Sequence, residues 1–126
     1  MKRNSSCIII GTGGHSRAVI SLLKKSKNYI IEGLIDVSSD FDLCEKILDC
    51  PVIGGWDFLE ILLSKKSNNY FLAIGENHIR KDIFNFLVQN DAKLPNLFDP
   101  YSFVDQSVEY GKGNIFFHIF MFFEQI

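Results

Sequence analysis

Residues 11–15, GTGGH, are where this chain could first hold a ligand with backbone and side chains together. Glycines allow positive φ and let the backbone come close to a bound group. An amphipathic stretch follows at once. A helix starting there offers unpaired N–H groups and a partial positive charge, which suits a phosphate or diphosphate. His15, at the helix start, can donate a hydrogen bond to a phosphate or a sugar; capping or packing at the turn is its other role. Asp36 follows Gly11 at the end of the next apolar run. That is near where an acidic residue accepts hydrogen bonds from a ribose in dinucleotide-binding folds. The pattern is G-T-G-G-H-S, with Ser16 where G-x-G-x-x-G has its third glycine. A nucleotide carrying a diphosphate fits this turn; NAD fits it imperfectly.

The elements that must position these groups alternate between β and α. Residues 7–10, CIII, read as a short strand covered on both faces. From His15 to about Lys27, Val19, Leu22 and Leu23 fall at helical spacing, and Lys24, Lys25 and Lys27 form a basic last turn. Residues 29–35, YIIEGLI, predict a second strand, which completes one βαβ unit with a right-handed crossover. Residues 37–50 are polar and acidic, have no clear period, and read as a loop. PVIG (51–54) predicts a short strand, and Asp57 can cap a helix running to about Lys66. YFLAIG (70–75) predicts another buried strand. A helix over about 78–90 places Ile79, Ile83, Phe86 and Leu87 on one face. KLPNLFDP then supplies one more short strand. The fold class predicted is α/β: a small, open, Rossmann-like parallel sheet with helices on both sides. Ligands of such sheets bind outside the carboxyl ends of the strands, which adds Gly75–Asn77 to Gly11–His15 and Asp36.

The pattern changes after residue 97. Every sixth residue from Phe98 is apolar: Phe98, Val104, Tyr110, Phe116 and Phe122. The next residue is Asp99, Asp105 and Gly111 in the first three hexads. A six-residue period of this kind marks a parallel β-helix, with the apolar residue pointing into the prism. The expected division is a Rossmann-like domain over 1–97 and the first one to two coils of a left-handed β-helix over 98–126. A random apolar tail is the alternative.

With 126 residues, 47% of them hydrophobic, the chain can bury the core of one domain. A formal charge of −2 shows no basic surplus for nucleic acid or an anionic membrane. Cys7, Cys44 and Cys50 are odd in number and lack CxxC spacing, so reduced thiols in a cytosolic protein are expected and a metal site is not. No signal peptide is expected, because only a four-residue apolar run precedes Gly11. The longest apolar stretch, IFFHIFMFF (115–123), has about half the ~20 residues a membrane-spanning helix needs. A soluble, cytoplasmic protein follows as the expectation.

These pieces in order carry a resemblance: GTGGHSRAV, the strand ending at Asp36, PVIGG, FLAIGENHIRKDIFNFL and LPNLFDPYSFVDQSVEYGKGNI. The chain resembles the bacterial sugar acyltransferases of the sialic acid O-acetyltransferase (NeuD)/PglD type over nearly its whole length to about residue 115. The most specific pieces are the G-x-G-G-H turn and A-I-G-x-N-x-x-R at 73–80. The resemblance implies an N-terminal Rossmann-like domain that binds a nucleotide-sugar. It also implies a trimeric left-handed β-helix that uses acetyl-CoA as co-substrate. Residue by residue, Gly11, Gly13, Gly14 and His15 match the turn at the diphosphate and sugar. Ile35 and Asp36 match the strand end near a uridine or its ribose. Family members often carry two acidic residues there, where this chain has one. Ala73, Ile74 and Gly75 match the next strand end lining the same pocket, and Asn77 and Arg80 the block after it. Arg80 equally suits a solvated helix face or a salt bridge.

The family's chemistry has no counterpart in these residues. Its catalytic histidine, usually in an H-D or H-E pair, must lie within hydrogen-bond reach of the attacking amine or hydroxyl. His118 lies about a coil too early, among phenylalanines and without an acidic neighbour; His78 reads as a helix-start residue. A β-helix needs about three stacked repeats, so a chain cut short before the catalytic part is expected, and a homotrimer is doubtful. The expected function is binding of a UDP-sugar for acetyl transfer. The alternatives are a stand-alone nucleotide-sugar-binding module, a non-catalytic subunit docking on a full-length homologue, or an NAD-dependent oxidoreductase fragment.

Overall fold

The computed structural model describes residues 5–38, 42–66, 68–99 and 111–116, with the strand pairs 103–104 and 120–121. The apolar run Ser5–Ile10 is the strand β1, and its last four residues are buried. After the glycine turn, α1 spans Gly14–Ser26, and β2 (Tyr29–Ile35) returns parallel to β1. Next come β3 (Lys46–Ile47), β4 (Cys50–Gly54), α2 (Trp56–Lys65) and β5 (Asn69–Leu72). After β5 stand α3 (Asn77–Gln89) and the short strands β6 (Leu97–Phe98), β7 (Phe103–Val104), β8 (Ile115–Phe116) and β9 (Phe120–Met121). The main sheet has the order β3-β4-β2-β1-β5. β1 pairs with β2 on one side and with β5 on the other, so the chain reverses direction at β1. That reversal opens a crevice at the carboxyl ends of the strands.

Alternation along β1 divides the core. Cys7 and Ile9 join Val19, Ile20, Leu22 and Leu23 of α1 on one face. Ile8 and Ile10 join Leu59, Leu62 and Leu63 of α2 and Ile83 and Leu87 of α3 on the other. Helices therefore cover both faces, and each fully buried Ile or Leu contributes about 1.5–3 kcal/mol. α1 and α2 end on Lys27 and Lys66 in the left-handed conformation, each N–H bonding back to a helix carbonyl.

Four details differ from the sequence-based expectations. The sheet is mixed, because β3 pairs antiparallel with β4. Residues 46–50, expected as loop, form this hairpin, with Leu48 and Asp49 both at positive φ as a tight I′ turn requires. Leu-Asp is not a turn signature, so the hairpin left no mark in the sequence. Asp57 lies in the first turn of α2, not at its cap; Gly55 is the N-cap. β5 ends at Leu72, and Ala73–Gly75 continue as loop.

The segment after α3 is tied back to the sheet domain. Leu97 is buried in the α1-side core, with Ile115 packed against it. Lys25 reaches the buried carboxylate of Asp99 at 3.2 Å. Asn96 clamps the turn before β8: its Nδ2 donates to the Gly111 carbonyl and its Oδ1 accepts from the Asn114 N–H, both at 2.8 Å. β6 pairs parallel with β8, Leu97 opposite Ile115, and β7 pairs parallel with β9, Phe103 opposite Phe120. Phe98, expected to point inward, is 37% exposed. Tyr110, His118 and Phe122 lie outside the described residues. Asn96→Ala removes two hydrogen bonds from one turn. It is expected to cost about 1–3 kcal/mol of local stability, read as faster amide exchange at Leu97 and Gly113 with little change in β1.

Burial pushes the Cys7 thiol up to about 12, with Cys50 and Glu32 adding to the shift. Burial also raises Cys50. Cys44 is exposed. A thiol reagent at neutral pH is expected to titrate Cys44 alone in the folded chain and all three thiols in denaturant.

Candidate functional site

The crevice at the reversal point is a cavity of about 470 Å³. Its walls come from the ends of three strands: Gly11–His15 after β1, Asp36–Ser38 after β2, and Ala73–Glu76 with Ile79 after β5. Backbone hydrogen bonds fix these loops to one another. The Gly11 N–H donates to Ile35 O and the Ala73 N–H to Ile10 O, both at 2.8 Å, and the Asp36 N–H donates to Gly54 O at 3.0 Å.

The glycines of the turn do different work. Gly11 has φ +125°, and a Cβ there would run into the carbonyl oxygen of Ala73 and stand 2.9 Å from its carbon. It is required by the fold. Gly13, Gly14 and Gly75 have nothing within 4 Å of an added Cβ, so the fold does not require them. Their bareness leaves backbone open to the cavity. Ser16, in the place of a third glycine, is fully buried, and its hydroxyl donates to the Gly13 carbonyl at 2.5 Å. A small side chain is what close helix–strand packing needs there, and the hydroxyl also ties down the turn.

Two helix N-termini face this cavity. Neither α1 nor α3 has a side-chain cap or an acidic residue in its first turn. Their N-cap residues, Gly13 and Glu76, both line the cavity. Partial positive charge therefore converges from both. Asp36 and the Glu76 side chain supply the opposite sign. Burial works to raise the Asp36 carboxyl, but hydrogen bonds outweigh that and hold it below the ordinary value. They come from the Ser38 hydroxyl (2.6 Å), the Ser38 N–H (2.9 Å) and the Thr12 hydroxyl. Asp36 is thus an ionised acceptor at neutral pH.

This lowered carboxyl has a stability consequence. A carboxylate depressed in the folded state contributes above its unfolded value, 3.8, and the contribution fades as pH falls through the lower folded value. Asp36→Asn is expected to flatten the acid limb of stability below about pH 4, measured as the wild-type–variant difference in urea midpoint. An undiminished difference at pH 2 would contradict it.

Of the residues singled out from sequence, Gly11, Gly13, Gly14, His15, Asp36, Ala73, Ile74 and Gly75 meet at this cavity. Ile35 is fully buried in the core and contributes through its carbonyl. Asn77 and Arg80 lie on the other side of the first turn of α3, in a separate groove. Thr12 and Glu76, inside the spans Gly11–His15 and Gly75–Asn77, also line the cavity, as do Val37, Ser38 and Ile79, which those spans leave out. Ser38 carried a signal, since D-V-S matches an Asx turn in which the carboxylate accepts the N–H two residues on. Ile79 shares a helical-period face with Ile83 and Leu87, yet it is 38% exposed and walls the cavity. Among the described residues, no helix is long and apolar enough to cross a membrane.

Comparison with solved structures finds a similar fold in longer proteins. A mutant of perosamine N-acetyltransferase from Caulobacter crescentus, solved with CoA and GDP-perosamine, is 27% identical. The match covers 90% of this chain and 51% of that one, with a TM-score of 0.75. The acetyltransferase domain of PglB from Neisseria gonorrhoeae, with acetyl coenzyme A, is 26% identical over 90% of this chain and 53% of that one, with a TM-score of 0.70. RSP, a Rex-family repressor, shares the fold at 20% identity and a TM-score of 0.60, over 90% of this chain and 52% of that one. The chain thus spans about half the length of the solved structures it matches. No curated protein matches. The family model of the PglD N-terminal domain matches residues 6–87, which hold the glycine turn, Asp36 and the β5–α3 loop, and the chain belongs to that family.

Proposed function

We propose that this chain binds the nucleotide-sugar substrate of a sugar acetyltransferase, with the diphosphate over the GTGGH turn. The observation that carries this reading is the bare backbone of Gly13 and Gly14 at the uncapped start of α1, open to a 470 Å³ cavity. Diphosphate oxygens accept hydrogen bonds from backbone N–H groups there, and the helix charge favours them. The ribose hydroxyls donate to the Asp36 carboxylate. His15 donates to a phosphate or sugar oxygen, and Ile74 and Ile79 give the sugar an apolar wall. The perosamine enzyme solved with GDP-perosamine supports a nucleotide-sugar as the ligand class; a UDP-sugar is our first choice. Acetyl-CoA is the acetyl donor in this reading: an amine or hydroxyl of the bound sugar attacks the thioester carbonyl, and CoA leaves as the thiol. We take β6 and β8, with Leu97 opposite Ile115, as neighbouring turns of a coil of three hexads at the start of a β-helix.

Calorimetric titration with UDP-N-acetylglucosamine tests this, with NADH as comparator. The expected result is UDP-sugar binding that weakens about tenfold in His15→Ala, the value of one charge-assisted hydrogen bond. Binding of NADH alone would overturn the proposal.

A further inference from the structure

The first turn of α3 is a ridge between two concavities. Glu76 and Ile79 face the glycine cavity. Asn77, Arg80, Lys81 and Phe84, spaced i, i+3, i+4 and i+7, form the opposite face. With Lys112, Gly113 and Asn114 they line a second groove of about 250 Å³. Among the described residues, no acidic one lines it. Among the described residues the ion pairs are Lys25–Asp99 and His78–Asp82, so Arg80, Lys81 and Lys112 enter none. Three cations thus share one concavity in a chain of formal charge −2.

Lys112 is held there by its backbone. Gly113 sits at φ +73°, its N–H donates to Leu94 O at 3.0 Å, and a Cβ on it would lie 3.1 Å from the Phe84 ring. Asn96 fixes the residues on either side, Gly111 and Asn114. Clustered like charges repel one another unless an anion enters. The groove is too small for a folded acidic segment and suits a phosphate, which one guanidinium and two ammonium groups can surround.

We propose that Arg80, Lys81 and Lys112 form a second anion site that takes a phosphate group, separate from the diphosphate position in the glycine cavity. Two sources share this chemistry, a phosphate of coenzyme A and free inorganic phosphate. Naming coenzyme A rests on the proposed function; the anion site does not.

The test is amide-resolved NMR of the full 126-residue chain during titration with inorganic phosphate, CoA and dephospho-CoA. Phosphate is expected to shift the amides of Asn77, Lys112 and Gly113. Lys81→Ala/Lys112→Ala, both exposed positions, is expected to weaken that response about tenfold and to leave UDP-N-acetylglucosamine shifts at Gly13–His15 within about twofold. CoA binding more tightly than both phosphate and dephospho-CoA upholds the site and names the CoA 3′-phosphate as source. CoA and phosphate binding alike upholds it with free phosphate as source. Shifts confined to Gly13–His15, or groove shifts that persist in the double variant, overturn it. A chain that answers phosphate at the groove and ignores UDP-N-acetylglucosamine refutes the proposed function and keeps this site.

Discussion

Gly11→Ala is expected to lower the unfolding free energy by about 3–5 kcal/mol, combining backbone strain at positive φ with a forced steric overlap. The overlap is with backbone. The Ala73 carbonyl that meets the new methyl belongs to a residue whose N–H is fixed to Ile10 O, while Gly11 itself is fixed to Ile35 O. Neither side can yield without breaking the pairing of β1 with its neighbours. Against a total of about 5–15 kcal/mol for a domain, this is a large fraction. Urea titration should show a lower midpoint at unchanged slope. Gly13→Ala is the control: φ is −79° and the added methyl meets nothing, so its unfolding free energy should stay within about 0.5 kcal/mol of the parent. Equal midpoints for the parent and Gly11→Ala would show that the turn is not built around this approach.

Gly14→Asp is expected to move stability and binding in opposite directions. Gly14 is the first residue of α1, and its Cβ direction is empty. Replacing a helical glycine and adding an anion at a bare helix N-terminus should together stabilise by about 0.5–1.5 kcal/mol. The same carboxylate occupies the place proposed for a diphosphate and repels it. Affinity for UDP-N-acetylglucosamine should fall at least about 100-fold, or roughly 2.7 kcal/mol. Thermal melting and calorimetry on one sample read both effects. A variant that is more stable and still binds would place the diphosphate elsewhere.

The candidate site was legible where backbone demands show in residue type. Gly11 is forced by a close approach, and Asp36 and Gly75 mark the ends of apolar runs whose length and β-branching identify buried strands. α1 and α3 followed from the 3.6-residue period, and α2 from a cap signal at Asp57 that falls two residues past its Gly55 N-cap. What escaped was set by tertiary pairing. The β3–β4 hairpin turns on Leu48 and Asp49, neither chosen for positive φ, and is held by its place at the edge of the sheet. Ile79 obeys the helical period yet faces the cavity, because the α3 residues packed into the core, Ile83 and Leu87 foremost, lie beyond it. Asn96 and Gly113 offer no periodic signal. Their partners are distant in the chain, Gly111 and Asn114 for the one and Leu94 for the other, and such a clamp appears only once both ends are placed.

The strand order also dictates when the cavity can exist. β1 pairs with β2 early in the chain, but its other neighbour arrives only with β5, where Asn69 comes to lie opposite Cys7. The ribosome adds about 5–20 residues per second, so one edge of the central strand waits several seconds for its partner. During that interval the apolar run 7–10 presents open N–H and C=O groups, which other chains can pair with. The third wall of the cavity is not made until Ile79 has been added. A ligand bound there can only hold a sheet that has already closed, so protection of the open edge in the nascent chain falls to chaperones.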